Sequence, residues 1–170
     1  MNIKVNIKVK SATANDYLKV RELRLAALLD SPQAFGAKYD ELKDNPDSYW
    51  QQLLTVANWC LVFDGELGIG LLAIDRADKD RKADCWVSSW WIEKSYRGQG
   101  ISKLMAGWIY ELCQKNDWQR VGLGVWPNNK SAISVYLKLG FVAADALMPS
   151  RSIPGLMYLP MYKEIGVESR

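Results

Sequence analysis

The chain opens on a period of two. Ile3, Val5, Ile7 and Val9 are apolar and Lys4, Asn6, Lys8 and Lys10 polar, which predicts a strand near Met1 to Lys10 and not the apolar core of a signal peptide. The period then lengthens. Tyr17, Val20, Leu23, Ala27 and Leu28 recur at helical spacing, Thr13 and Asp16 stand three apart as a capping box, and Asp30-Ser31-Pro32 stops the run, so a helix over roughly 13–29 follows. From Pro32 to Asp47 turn formers and acids (Asp40, Glu41, Asp44, Asp47) prevail. This stretch reads either as a solvated connection or as a loop over a substrate pocket, and leads into a short helix, about Asp47 to Val56.

Two apolar runs, Trp59 to Phe63 and Leu67 to Ile74, flank Asp64-Gly65-Glu66 and predict an antiparallel hairpin. Cys85 to Ile92 is near-continuously apolar around Ser88 and Ser89, the pattern of a strand covered on both faces. Ile101, Leu104, Met105, Trp108, Ile109 and Leu112 then form a helical stripe over 101–116, with Cys113 packed beside it. Arg120 to Val125 is a further strand, so strand, helix and strand make a parallel unit with a right-handed crossover. Pro127-Asn128-Asn129 opens a helix over Lys130 to Leu139, Gly140 ends it, and Phe141-Val142-Ala143 starts a strand. A last strand lies in Leu156 to Lys163, where Pro160 favours an edge or bulge position.

Composition narrows the chemistry. At 170 residues, 49% hydrophobic and 24% charged, the chain suits one soluble globular domain. Its net charge of +3 is too dispersed to suggest nucleic acid. No apolar run approaches the ~20 residues that cross a bilayer, and a cytoplasmic location is expected. Cys60, Cys85 and Cys113 are odd in number and widely spaced, which suggests neither a disulfide framework nor a zinc site. Histidine is absent, which removes the commonest metal ligand and the usual partner of a nucleophilic serine or cysteine. No metal is expected.

Two false leads can be set aside. Gly68-Ile69-Gly70-Leu71-Leu72-Ala73 matches G-x-G-x-x-A, but its glycines sit inside a strand instead of opening a helix. Asn129-Lys130-Ser131 is a glycosylation sequon only in a secreted protein.

Two stretches remain as candidates. Arg97-Gly98-Gln99-Gly100-Ile101-Ser102 joins a strand to a helix, where glycine backbone and helical N–H groups could cradle a phosphate beside the Arg97 charge, or merely make a turn. Asn129 and Tyr136, seven apart, share a helix face, as a capping residue and a packed aromatic also would.

Taken together, Val125-Trp126-Pro127-Asn128-Asn129-Lys130-Ser131-Ala132-Ile133-Ser134-Val135-Tyr136-Leu137-Lys138-Leu139-Gly140-Phe141 closely resembles the V-x-x-x-N-x-x-A-x-x-x-Y-x-x-x-G-F signature of the GCN5-related N-acetyltransferase (GNAT) superfamily, and the preceding Arg97 to Ser102 resembles its R-x-x-G-x-G/A loop. The resemblance implies an α/β (α+β) fold of the GNAT acyl-CoA N-acyltransferase type, a mixed central sheet of about six to seven strands flanked by about four helices, as a single domain over 1–170. It implies acetyl-CoA as cosubstrate, with the amides of Gly98, Gln99, Gly100, Ile101 and Ser102 and the charge of Arg97 on the pyrophosphate. The Ile92 backbone would pair with the pantetheine arm, Asn129 would contact the cofactor, and Tyr136 would stand near the thioester sulfur. The close match covers about Val87 to Phe141. Ser102 replaces the usual small residue, and Gly124 stands where the branch that acetylates ribosomal-protein N-termini has a glutamate base.

The implied reaction is direct attack of a neutral primary amine of a small molecule or peptide on the thioester carbonyl. A strand backbone N–H near Ile92 would stabilise the oxyanion and Tyr136 would protonate the leaving thiolate. An alkyl ammonium of pKa about 10 must first lose a proton. Glu93 is the acidic candidate nearest in sequence, and it reads equally as a solvated strand-end carboxylate; a water chain to Asp40 or Glu41 would also serve. Trp90, Trp91 and Trp126 flank the site as an aromatic wall or as core. Transfer of a longer acyl group, a non-catalytic acetyl-CoA sensor and a homodimer are compatible with the same residues.

Overall fold

A computed structural model describes residues 6–166. Of the opening alternation, Met1 to Val5 lie outside the described residues, and the strand found is β1, Ile7–Ser11. The helix expected over 13–29 starts with a 3₁₀ turn, Ala14–Asp16, and continues as α1, Tyr17–Asp30. Asp16 reaches back 2.7 Å to accept from the Thr13 N–H, as the capping spacing requires. Val20, Leu23, Ala27 and Leu28 are the residues α1 buries, and their spacing is that of one helix face.

A one-turn helix, α2 (Tyr39–Leu42), precedes α3 (Asp47–Val56). Strands β2 (Asn58–Asp64) and β3 (Leu67–Arg76) are joined by a two-residue turn in which Gly65 has φ +60°. Then come β4 (Cys85–Ile92), α4 (Ile101–Asn116), β5 (Arg120–Val125) and α5 (Lys130–Lys138). Two two-residue strands, β6 (Val142–Ala143) and β7 (Met148–Pro149), precede β8, Met157–Glu164. This is a mixed α/β architecture with eight strands and five α-helices among the described residues. The strand expected from Phe141 is β6, and the elements beyond those expected are α2 and β7, each too short to carry a period.

The chain packs as two units, one running to Ala73 and including Ser89–Met105, the other made of Ile74–Ser88 and the residues from Ala106 onward. In the first unit the strands follow the order β1-β2-β3-β4, with β1 antiparallel to β2 from Ile7↔Asp64 to Ser11↔Cys60. Val20, Leu23 and Ala27 of α1 pack with Trp59 and Leu61 of β2, Leu71 and Ala73 of β3, and Trp91 of β4. Trp91 is thus core, not an exposed wall.

In the second unit the order is β4-β5-β8-β6, with β7 also on β8. β4 runs parallel to β5 through Cys85↔Val121, Trp86↔Gly122 and Val87↔Leu123, the parallel unit that the strand-helix-strand pattern predicts. β8 is antiparallel to β5 from Arg120↔Glu164 to Val125↔Leu159. Two sequence expectations are corrected here. β8 is an interior strand, yet its β6 partner covers only Tyr162 and Met161 and β7 only Tyr158 and Met157. Pro160 falls between these two short partners, where a missing N–H is tolerated, and its carbonyl accepts from the Ala144 N–H at 2.9 Å. In α4, Leu104 is half exposed, and the buried side is Ile101, Met105, Ala106, Ile109 and Cys113, so the apolar face is turned toward Cys113.

Two glycines of β5 are set by close approach. A Cβ on Gly122 would lie 2.6 Å from the Trp86 ring, and one on Gly124 2.7 Å from the Tyr158 ring. Gly107, inside α4, meets nothing within 4 Å. Gly124→Ala is therefore expected to destabilise by about 1–3 kcal/mol through overpacking, and Gly107→Ala to stabilise by about 0.4–1 kcal/mol through the unfolded chain. Urea midpoints at unchanged slope check both.

Candidate active site

The end of β4 and the start of α4 form the first constellation. Ser89, inside β4, has φ +56°, a left-handed interruption that ordinary strand residues avoid. Beyond Ile92 the chain makes a 3₁₀ turn, Lys94–Tyr96, and enters the glycine loop. Gly98 and Gly100 have φ +76° and +83°, and no protein atom lies within 4 Å of where either Cβ would be. The loop needs glycine for its backbone angles, and the space in front of it is open. Residues 98–100 are exposed. α4 then presents its first-turn N–H groups, with the Leu104 N–H closing on the Gly100 carbonyl at 3.3 Å. Open glycine backbone beside the N-terminus of a sixteen-residue helix fits a pyrophosphate group.

Arg97 is held, not loose. Its Nε donates to the Ile92 carbonyl at 2.8 Å and its Nη2 to the Asp30 carboxylate at 2.5 Å. The Trp91 indole N–H donates to the same Asp30 oxygen at 2.9 Å. The Trp91 bond, with those from Ser31 and Arg97, holds the Asp30 carboxyl at about 2 against the usual 3.8, although partial burial opposes this. A lowered carboxyl contributes stability above its unfolded value, here pH ~4, and loses it as pH falls toward 2. An anion at a helix C-terminus is otherwise unfavourable, so Asp30 is a strut that fixes the arginine and the end of β4. Asp30 escaped the sequence reading because Asp-Ser-Pro looked sufficient as a helix stop. A second strut is the Tyr96 hydroxyl, which donates to Asp64 at 2.7 Å. Gln99 ties back to the Ser95 carbonyl at 3.1 Å.

Glu93 is half-buried at the end of β4. Its N–H donates to the Ile69 carbonyl at 2.7 Å and its carbonyl accepts from Tyr96. That N–H is already engaged. The loop acids are bound locally: Asp40 pairs with Lys43 at 3.1 Å, and Glu41 accepts from the Lys38 N–H at 3.2 Å.

The second constellation is α5. Asn129 caps it, its side-chain oxygen accepting from the Ala132 N–H at 3.3 Å. Tyr136 lies two turns on, half-buried, with its ring edge toward Phe141 at 6.1 Å. Burial pushes its phenol up to about 12. Lys163 donates to the Leu139 carbonyl at 2.6 Å and so completes the C-terminal end of this helix. Gly124, where a relative would carry a carboxylate, faces the Tyr158 ring of β8. That ring is held by Arg81, which donates to the Tyr158 hydroxyl at 2.8 Å and stacks on Trp86 at 4.2 Å.

The cysteines stand apart from both constellations. All three are buried free thiols. Burial pushes Cys60 up to about 12, and Cys85, facing Cys113 at 3.8 Å, is also pushed up by that hydrogen bond and by burial. Among the described residues no three His, Cys, Asp or Glu side chains are grouped to hold a metal, and no helix is long and apolar enough to cross a membrane.

Comparison with known proteins identifies the family and the fold. The model of the acetyltransferase (GNAT) family matches residues 22–141. A Bacillus subtilis subsp. natto protein described as "Probable spermine N(1)-acetyltransferase" is 29% identical over 85 residues, 48% of this chain and 56% of the relative, so the match spans little more than half of that relative's length. Among solved structures, an acetyltransferase of the GNAT family from Streptococcus pneumoniae superposes with a TM-score of 0.75 at 19% identity, over 95% of this chain and 100% of its own. The spermidine N-acetyltransferase from Vibrio cholerae, in complex with CoA and spermine, superposes with a TM-score of 0.69 at 13% identity, over 93% and 95% of the two chains. With the family model covering most of the chain, and the glycine loop and the Asn129 to Tyr136 helix both inside the matched span, the chain belongs to the GNAT family of acetyltransferases.

Proposed function

We propose that this chain is a single-domain enzyme that transfers the acetyl group of acetyl-CoA to a primary amine of a small molecule. The observation that carries the reading is the open, positive-φ turn at Gly98 and Gly100 ahead of α4. Acetyl-CoA supplies an activated thioester carbonyl when bound. The amides from Gly98 to Ser102 bind its pyrophosphate, Ile92 offers backbone groups to the pantetheine arm, and Asn129 contributes from the cap of α5. The Asp30 strut keeps Arg97 and the β4 end in place, so little reorganisation is needed on binding. Tyr136 is fully protonated at neutral pH and donates its O–H to the departing sulfur. Glu93 receives the amine proton; Asp40 and Glu41 are less suited because local partners hold them.

The acetyl-CoA assignment draws on the family and on CoA in the Vibrio cholerae structure, and the small-molecule amine on the acceptors named for the two polyamine-acting relatives. The free thiols support a reducing compartment such as the cytoplasm. Turnover of a panel of polyamines, amino acids and peptides with acetyl-CoA tests the reading; binding of acetyl-CoA with no acetylated product from any amine would make the chain a sensor. Because the buried thiols lie in neither motif, replacing Cys60, Cys85 and Cys113 together by Ala or Ser should retain at least about a third of kcat in a folded protein. A kinetically competent acetyl-cysteine would overturn direct attack.

A further inference from the structure

Among the described residues Arg24 is a cation without an anion. It sits on the core-facing side of α1, one turn from Val20, Ala27 and Leu28, all of which are 2% exposed or less. Its guanidinium stacks on the Phe35 ring at 4.9 Å. Its Nη1 is buried and has no hydrogen-bond partner among the described residues. The neighbouring Arg21 is the ordinary case: it reaches the Lys43 carbonyl at 3.5 Å and Asp47 at 3.8 Å. Burial lowers the guanidinium to about 10, and among the described residues the group that opposes this is the Tyr49 phenol, not a carboxylate. Arg24 is half-buried, but its Nη1 is a buried donor, and leaving such a donor unpaired is costly where an apolar side chain of the same length would not be. That donor calls for a partner that arrives from outside.

A guanidinium carries its donors in a planar fork that suits a carboxylate, and in Arg24 the Nη1 donor is the one without a partner among the described residues. Arg24 and Asp30 are six residues apart on α1, roughly 9 Å along the axis, and Asp30 is bonded to Trp91 and Arg97 at the acetyl-CoA cradle. That axial rise matches on the order of two to three extended residues, with the two positions about 120° apart around the helix. We propose that Arg24 binds a carboxylate on the acceptor, so that the substrate class is an amine-bearing amino acid or short peptide and not a polyamine. This rests on the acetyltransferase reading above.

The test uses matched acceptors that differ only in charge: lysine against lysinamide, with spermidine as the polycation. In the wild-type protein the kcat/KM for lysine should exceed that for lysinamide at least tenfold. Arg24→Met should bring the ratio within threefold, leave the acetyl-CoA Kd within threefold, and raise the melting temperature of the unliganded protein by about 2 °C or more, because an unpaired charge is gone. Equal use of lysine and lysinamide, or preference for spermidine, overturns the carboxylate assignment while acetyl transfer stands. A tenfold loss of acetyl-CoA affinity in Arg24→Met with the acceptor ratio unchanged assigns the anion to the cofactor's phosphates and also overturns it. If no amine is turned over, the activity itself is refuted, and the assignment is read from thermal stabilisation of the wild type by lysine but not lysinamide. Should Arg24→Met fail to fold, Arg24→Lys, which keeps the charge and loses the fork, should cut the lysine preference; the wild-type comparison decides in either case.

Discussion

Tyr136→Phe should lower kcat roughly 10²-fold while changing acetyl-CoA affinity by less than about threefold. The substitution keeps the ring, its edge contact with Phe141 and the helix, and deletes only the hydroxyl. The phenol titrates at about 12, so the residue carries its proton throughout the working range and no ionisation of Tyr136 should appear in the kcat profile below about pH 10. Its raised value also qualifies the acid role. A cysteine-like thiol has a pKa of about 8.5, so complete transfer from a phenol at about 12 to such a thiolate is uphill by about 5 kcal/mol. Hydrogen bonding to the developing negative sulfur is the form of help that costs least. Both versions predict that acyl donors with more acidic leaving thiols lose less from Tyr136→Phe. A variant with wild-type kcat, under conditions where chemistry limits the rate, reduces Tyr136 to a packed aromatic.

Gly100→Val should weaken acetyl-CoA binding at least tenfold, or about 1.4 kcal/mol. Nothing in the protein crowds this position, so the effect separates into two parts. The backbone at φ +83° is strained for a β-branched residue by about 1–3 kcal/mol and would rotate away, turning its N–H groups out of the cradle. The side chain also stands where a phosphate must approach. Gly100→Asn distinguishes the two, since asparagine tolerates left-handed angles: an affinity between those of Gly and Val assigns most of the loss to conformation. Calorimetry gives all three values, and an unchanged affinity in folded Gly100→Val would remove the loop from the cofactor site.

The long elements were legible because their burial repeats many times. Val20, Leu23, Ala27 and Leu28 announce α1, and strand, helix and strand from Cys85 to Val125 announce the parallel pair. The glycine loop was legible because few residues tolerate its angles. What stayed hidden depends on single tertiary contacts. Asp30 carries no sign that Arg97, 67 residues away in sequence, will come to it. Ser89 looks like any polar residue in a strand, and its positive φ has no local signature. Pro160 suggests an edge or a bulge because sequence cannot show that β6 and β7 are too short to use its position. Arg24 shares α1 with Arg21, and nothing local distinguishes the one whose Nη1 lacks a partner among the described residues.

The contact between Gly124 and Tyr158 makes part of this family's sequence space reachable in only one order. A glutamate at position 124 would introduce a carboxylate on β5, but its Cβ would arrive 2.7 Å from a ring that Arg81 and Trp86 hold in place. Introduced first, the glutamate is a folding defect with no activity to offset it. Introduced after Tyr158 has been reduced to a small residue, it enters a vacated site and can be tested for proton abstraction. The pair is therefore epistatic in sign, and a library that varies position 124 alone would report the position as immutable when it is only conditional.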